Sequence, residues 1–141
     1  MTDPVVDWSK LTAPSLDDFE ALAKAALEAL PQPFRDLVKD VECVVAEFPE
    51  EEVLDDLGID SAFDLMGLFI GVGMAHDAAV PHSGQMPNRI YLYRRPILDY
   101  WAENEDTLGE VVTHVLVHEL GHHFGYSDED MEAIEAAAEG A

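Results

Sequence analysis

The sequence predicts a single domain that contains both helices and strands, and three observations lead to this prediction. The chain has 141 residues, a length that suits one hydrophobic core. Residues 41–48 and 89–94 are rich in β-branched residues or alternate in polarity, which is typical of strands. Helical periodicity with capping signals fills much of the remainder. We expect a flexible arm over residues 1–12 and one domain over residues 13–141.

In the N-terminal half, the pattern predicts a helix, a helical turn and a strand. Ser15 and Asp18 have the spacing of a capping box, and apolar residues follow at helical intervals. Pro31 and Pro33 end that helix, and another turn or two precede the first strand. Residues 53–70 give no clear pattern, and we expect a short helix that leads into an apolar segment.

In the C-terminal half, the pattern predicts a long loop, the second strand and three helices. The loop covers residues 71–87, which are rich in glycine and proline. Pro96 suits the first turn of a helix after the second strand. Thr107 and Glu110 form another predicted capping box, which opens the longest helix. A final helix is expected over residues 128–138.

Composition excludes several classes of partner. The net charge of −23, from 30 acidic and 7 basic residues, disfavours binding to nucleic acid and to anionic membranes. No apolar run reaches the roughly 20 residues of a membrane-spanning helix. The N-terminus lacks the features of a secretory signal. Cys43 is the only cysteine, so an intramolecular disulfide is impossible, and we expect an acidic cytoplasmic protein in which Cys43 is a buried apolar residue.

The chemistry of the sequence is concentrated at His118-Glu119-Leu120-Gly121-His122. One helical turn separates the two histidines, so both imidazoles project from one face. They can converge on a single zinc ion at about 2.0–2.1 Å. Glu119 is rotated away from the ligand axis, so it can reach a water molecule at the metal without being a ligand.

A hydrolytic zinc site needs a third protein ligand, and we predict Asp128. Gly125 is placed to end the helix three residues after His122, and Asp128 follows three residues later, where a reversed chain would return a carboxylate to the metal. Capping of the last helix is the alternative role of Asp128, and Glu132 or Glu135 stays open as the carboxylate ligand. His114 lies eight residues before His122, roughly 12 Å along the helix, too far for one ion to bridge the two.

The pattern resembles the zincin superfamily, and specifically the short bacterial minimal zincins with the signature His-Glu-x-x-His-x-x-Gly-x-x-Asp. Residues 68–72, 87–96 and 117–125 are similar to other landmark segments of that family, and the resemblance covers roughly residues 15–138. It implies an α+β, zincin-like fold in which a small sheet packs against the active-site helix, with helices at both ends. In the larger metzincins a methionine lies on a turn beneath the metal; Met131 either takes that part or is a core residue.

The predicted function is that of a zinc metallopeptidase with Zn²⁺ held by His118, His122 and Asp128. Glu119 is the predicted general base, which takes the proton of the attacking water. We expect a peptide or small protein as substrate, held as an added strand beside residues 90–92 if these form a sheet edge. A non-peptide amidase or deacylase and an inert structural or regulatory zinc protein are the alternatives. The oxyanion-stabilising group stays open among three tyrosines, namely Tyr91, Tyr93 and Tyr126.

Overall fold

A computed structural model describes residues 6–71 and 88–139 of the chain. The described residues contain six α-helices and three strands. In chain order these are α1 (Leu16–Glu28), α2 (Phe34–Val38), β1 (Glu42–Ala46), α3 (Glu51–Leu57), β2 (Gly67–Ile70), β3 (Arg89–Tyr93), α4 (Arg94–Glu103), α5 (Leu108–His123) and α6 (Asp128–Glu139).

The predicted helix starts are confirmed at atomic detail. Ser15 accepts a hydrogen bond from the backbone N–H of Asp18, and the Asp18 carboxylate accepts one from the backbone N–H of Ser15. Thr107 and Glu110 make the same reciprocal pair at the start of α5. These bonds pair backbone N–H groups that the first helical turn leaves without a partner.

The sheet has three strands in the order β1-β3-β2. β3 is central, parallel to β1 and antiparallel to β2. Its Ile90 and Leu92 are fully buried. The expectation that residues 90–92 form a sheet edge is therefore wrong, because both sides of β3 are hydrogen-bonded. Within the described residues, β2 is the edge strand on the side of α5.

The ambiguous residues 53–70 resolve into three elements, namely the helix α3, a 3₁₀ turn at Ala62–Asp64 and the strand β2. α3 begins at Glu51, before the expected range, and ends at Leu57; the next residue, Gly58, caps it with a φ of 69° in the left-handed region. β2 forms at residues 67–70, where Gly67 allows a close approach to α5. A Cβ built there would lie 2.6 Å from Cγ1 of Val115 and 3.6 Å from Cγ of Glu119. Packing against α5 and pairing with β3 thus select a strand at this position.

α5 runs through the centre of the core. Its buried residues are Val111, Val112, Thr113, Val115, Leu116, Val117, Leu120 and Gly121. It contacts α1, α4, α6, β2 and β3, which explains why apolar residues occupy most of its circumference. The α+β fold with a small sheet against this helix, and helices at both ends of the chain, is confirmed.

Two predicted segments lie partly or largely beyond the described residues. The expected loop over residues 71–87 lies outside them from residue 72 onward. Of the expected arm over residues 1–12, the described part contains a 3₁₀ turn at Trp8–Lys10, and Trp8 is 73% exposed. Among the described helices, none is long and apolar enough to cross a membrane.

Candidate metal centre

The C-terminal end of α5 is a tight reversal built on Gly125. The backbone N–H of Tyr126 donates to the carbonyl of Gly121 at 2.9 Å, and that of Gly125 donates to the carbonyl of His122 at 3.2 Å. This pair of bonds is a Schellman motif, and Gly125 adopts the positive φ of 81° that the motif requires. The predicted helix stop is confirmed, and the chain reverses at Gly125, two residues after α5 ends at His123.

Asp128 is the first residue of α6, but it does not cap that helix. Ser127 does so: its hydroxyl accepts from the backbone N–H of Asp130, and the Asp130 carboxylate accepts from the backbone N–H of Ser127. The Asp128 carboxylate is therefore not used in capping. It is 87% exposed, and its Oδ1 lies 3.9 Å from Nε2 of His122. Two ligand atoms of a tetrahedral zinc ion lie about 3.3 Å apart, so this pair needs only a small movement to share an ion.

The imidazole of His118 is directed toward Glu135 and not toward His122 and Asp128. Its ring centroid lies 6.0 Å from that of His122, with the two rings at 87°. Its Nε2 lies 3.2 Å from Oε2 of Glu135 on α6. The structure thus brings His122 to Asp128 and His118 to Glu135. The assignment of His118, His122 and Asp128 as one ligand set stays a prediction. The donors would be two imidazoles and one carboxylate that caps no helix, and such a set fits zinc.

Glu119 faces a cavity of about 380 Å³ between α5 and β2. Leu68 and Phe69 of the edge strand form one wall, and His122 and His123 complete it. Burial raises the pKa of the Glu119 carboxyl above its usual range, and the nearby His122 opposes that shift. A carboxylate with a raised pKa is a stronger proton acceptor, which suits a general base.

His123 also lines this cavity. Its ring lies 4.2 Å from that of Phe69, and a Cβ built at Gly71 would come within 2.8 Å of its Cε1. It follows His122 by about 100° around the helix axis, which turns it toward β2. This angle is the only feature of the sequence that could have indicated that His123 lines the cavity, and it is informative only once the position of β2 is known.

None of the three candidate tyrosines lines this cavity in the described residues. Tyr93 is 3% exposed, and burial, together with the neighbouring Tyr91, Glu50 and Glu119, raises its pKa to about 12. Tyr126 packs edge-on against Phe34 at 5.2 Å between ring centroids. The group that stabilises an oxyanion therefore stays open.

Met131 is fully buried, and Cys43 is partly buried. Met131 is fully buried on α6, and its Sδ would lie 2.5 Å from a Cβ built at Gly121. It belongs to the packing between α5 and α6 and lies on a helix rather than on a turn. Burial, with a smaller contribution from Glu20, raises the pKa of the Cys43 thiol to about 11. Cys43 packs against the core but is only partly buried, so it is less buried than the sequence predicts.

Comparison with known proteins identifies the family of the chain and agrees with its fold. The family model described as zincin-like metallopeptidase matches residues 38–138, more than half of the chain. No curated protein sequence matches the chain. The matched range begins in α2 and includes the sheet, α5 and nearly all of α6. The chain therefore belongs to the zincin-like metallopeptidase family.

Proposed function

We propose that this protein is a zinc-dependent peptidase that cleaves short or extended peptides. The observation that carries the proposal is the cavity between α5 and β2, which is lined by both Glu119 and His122. A proton acceptor and a metal-ligating imidazole thus border the same space, beside a strand that can receive a peptide. Family membership supports the same class of activity.

His118, His122 and Asp128 are the residues proposed to hold the zinc ion. When bound, zinc supplies a Lewis acid that polarises a substrate carbonyl and acidifies water. His122 and Asp128 already lie within 3.9 Å of each other, and α5 and the Schellman motif hold them there. His118 completes the set when its imidazole turns from Glu135 toward His122.

Glu119 is proposed to accept the proton of the attacking water and to pass it to the leaving amine. Its place beside His118 on α5 keeps the carboxylate near the ligands, and its turn around the helix directs it into the cavity. Burial of the Glu119 carboxyl is the physical cause of its raised pKa.

The edge strand β2 is proposed to hold the substrate. Ile70 is 44% exposed on this strand, and in the described part of the chain only β3 is hydrogen-bonded to β2. An extended peptide can pair with such an edge through backbone hydrogen bonds. The described part of the cavity is bounded by one helix and one strand, so short or unfolded segments suit it better than folded proteins.

A non-peptide amidase or deacylase is the rival activity, because the same water chemistry cleaves other acyl groups. A structural zinc site is disfavoured by Glu119, since an inert site has no need of a base with a raised pKa that faces a cavity. A cytoplasmic location, suggested by Cys43 as the only cysteine, stays a prediction.

Replacement of Glu119 by Gln tests the proposal. Glutamine keeps the size of the side chain but cannot accept the proton, so peptide hydrolysis should fall by about 10²–10⁴-fold while zinc content stays the same. Activity is measured on a panel of short fluorogenic peptides, together with acyl-amide and ester substrates. Glu129→Gln on α6, an exposed carboxylate, is the matched control.

Each outcome is informative. Full activity of Glu119→Gln would require another base, and loss of its zinc would make Glu119 a ligand. Cleavage of amide or ester substrates without peptides would favour the rival activity. If the zinc-loaded wild-type chain cleaved none of them, an inert site would be the better explanation.

A further inference from the structure

We propose that His114, His118 and Glu135 form a second position for a divalent metal ion, one helical turn away from the predicted catalytic position and in competition with it for His118. The site is assembled by side chains of α5 and α6. It stands on its own geometry, and only its consequence for catalysis rests on the proposed function.

The donor atoms are already gathered around one point. Nδ1 of His114 lies 2.8 Å from Oε1 of Glu135, and Nε2 of His118 lies 3.2 Å from Oε2 of the same carboxylate. One ligand atom from each residue lies within 4.8 Å of the other two. The ring centroids of the two histidines are 4.0 Å apart, closer than those of His118 and His122. Two imidazoles and a carboxylate are a ligand set that zinc accepts.

The surroundings favour a cation. The Glu135 side chain is only 15% exposed, and in the part of the chain that the structure describes its polar contacts are the two imidazoles, without a lysine or arginine. A carboxylate in such a position is stabilised by a positive charge. A cleft of about 210 Å³ opens beside it and gives solvent access. His114 and four acidic side chains are among its lining residues, namely Asp106, Glu110, Glu135 and Glu139.

The two positions cannot be complete at the same time. A neutral imidazole offers one lone pair to a metal, so His118 binds one ion. The His118 side chain, which would complete the catalytic set, lies against Glu135 in the structure. A bound ion is therefore divided between the two positions by their relative affinities. Because both hold one ion per chain, excess zinc does not alter that division.

The test is zinc binding to variants of the full chain, measured by equilibrium dialysis of Zn²⁺ against the metal-stripped protein. His122→Ala destroys the catalytic set and leaves the proposed site whole, so it should still bind one zinc per chain. Adding Glu135→Gln or His114→Ala to that variant should lower its affinity at least tenfold. Adding Glu129→Gln, which removes a carboxylate of α6 that makes no contact with these histidines, should have no effect.

A His122→Ala chain that is folded by circular dichroism but binds no zinc would overturn the proposal. So would binding that neither Glu135→Gln nor His114→Ala weakens. Glu135→Gln alone, in the chain that keeps His122, should retain one zinc. If it instead loses all zinc, Glu135 is a ligand of the main site and the second position does not exist. None of these readouts requires activity, so they remain decisive if the peptidase proposal fails.

Discussion

Gly121 lies where Met131 of α6 packs against α5, and its replacement by Ala should destabilise the protein. A Cβ at this position would lie 2.5 Å from Sδ and 2.8 Å from Cγ of Met131, which is fully buried. Overpacking of this kind costs about 1–3 kcal/mol. Alanine is more favourable in a helix than glycine by about 1 kcal/mol, so the free energy of unfolding should fall by a net amount of about 0–2 kcal/mol.

A matched glycine on the same helix separates the two contributions. At Gly109 a Cβ would meet only Oγ1 of Thr107, at 4.0 Å, so Gly109→Ala should stabilise the protein through helix propensity alone. The free energy of unfolding of the Gly121→Ala variant should be about 1–3 kcal/mol lower than that of the Gly109→Ala variant, and its Tm several degrees lower.

The assay is urea unfolding followed by circular dichroism, repeated in a Met131→Ala background. Met131→Ala removes both clashing atoms, so there Gly121→Ala should be neutral or stabilising. The difference between the two backgrounds is the interaction free energy of a double-mutant cycle. The reasoning would be refuted if Gly121→Ala stabilised the wild-type chain as much as Gly109→Ala does. An effect of equal size in both backgrounds would also contradict it.

Two further predictions concern the third ligand and the thiol. Asp128→Asn should lower zinc affinity at least tenfold in a chelator competition, because a neutral amide is a poorer ligand than a carboxylate; unchanged affinity would remove Asp128 from the set. Cys43 should react with Ellman's reagent at pH 8 much more slowly in the native chain than in urea. The rise of its pKa from 9.0 to about 11 lowers the thiolate fraction about 100-fold, and equal rates in the two states would contradict its burial.

Much of the fold is encoded in local signals that the sequence displays. The capping pairs Ser15 with Asp18 and Thr107 with Glu110 fix two helix starts through bonds between residues three apart. Periodicity then predicts the helices that follow them. The edge strand β2 was not predictable in this way, because it depends on pairing with β3 and on the approach of Gly67 to α5.

The candidate metal centre was likewise predictable only where it depends on local helix geometry. The positions of His118, Glu119 and His122 follow from helix geometry, and the stop at Gly125 follows from its freedom to adopt positive φ. What the pattern could not show is which carboxylate faces which imidazole, because that depends on the path of α6. Ser127, rather than Asp128, caps α6, and this single difference leaves the Asp128 carboxylate beside His122.

The antiparallel pairing of α5 and α6 explains how the two proposed metal positions can share one row of histidines. His114, His118 and His122 form a row on α5 that spans about 12 Å, and Asp128 and Glu135 are about 10.5 Å apart along α6. Because the spans nearly match and the chain reverses at Gly125, one carboxylate reaches each end of the row. His114 was excluded as a co-ligand of His122 on distance, and that argument holds for one ion. It does not exclude a separate position at the other end of the row, where His118 is the histidine that both positions share.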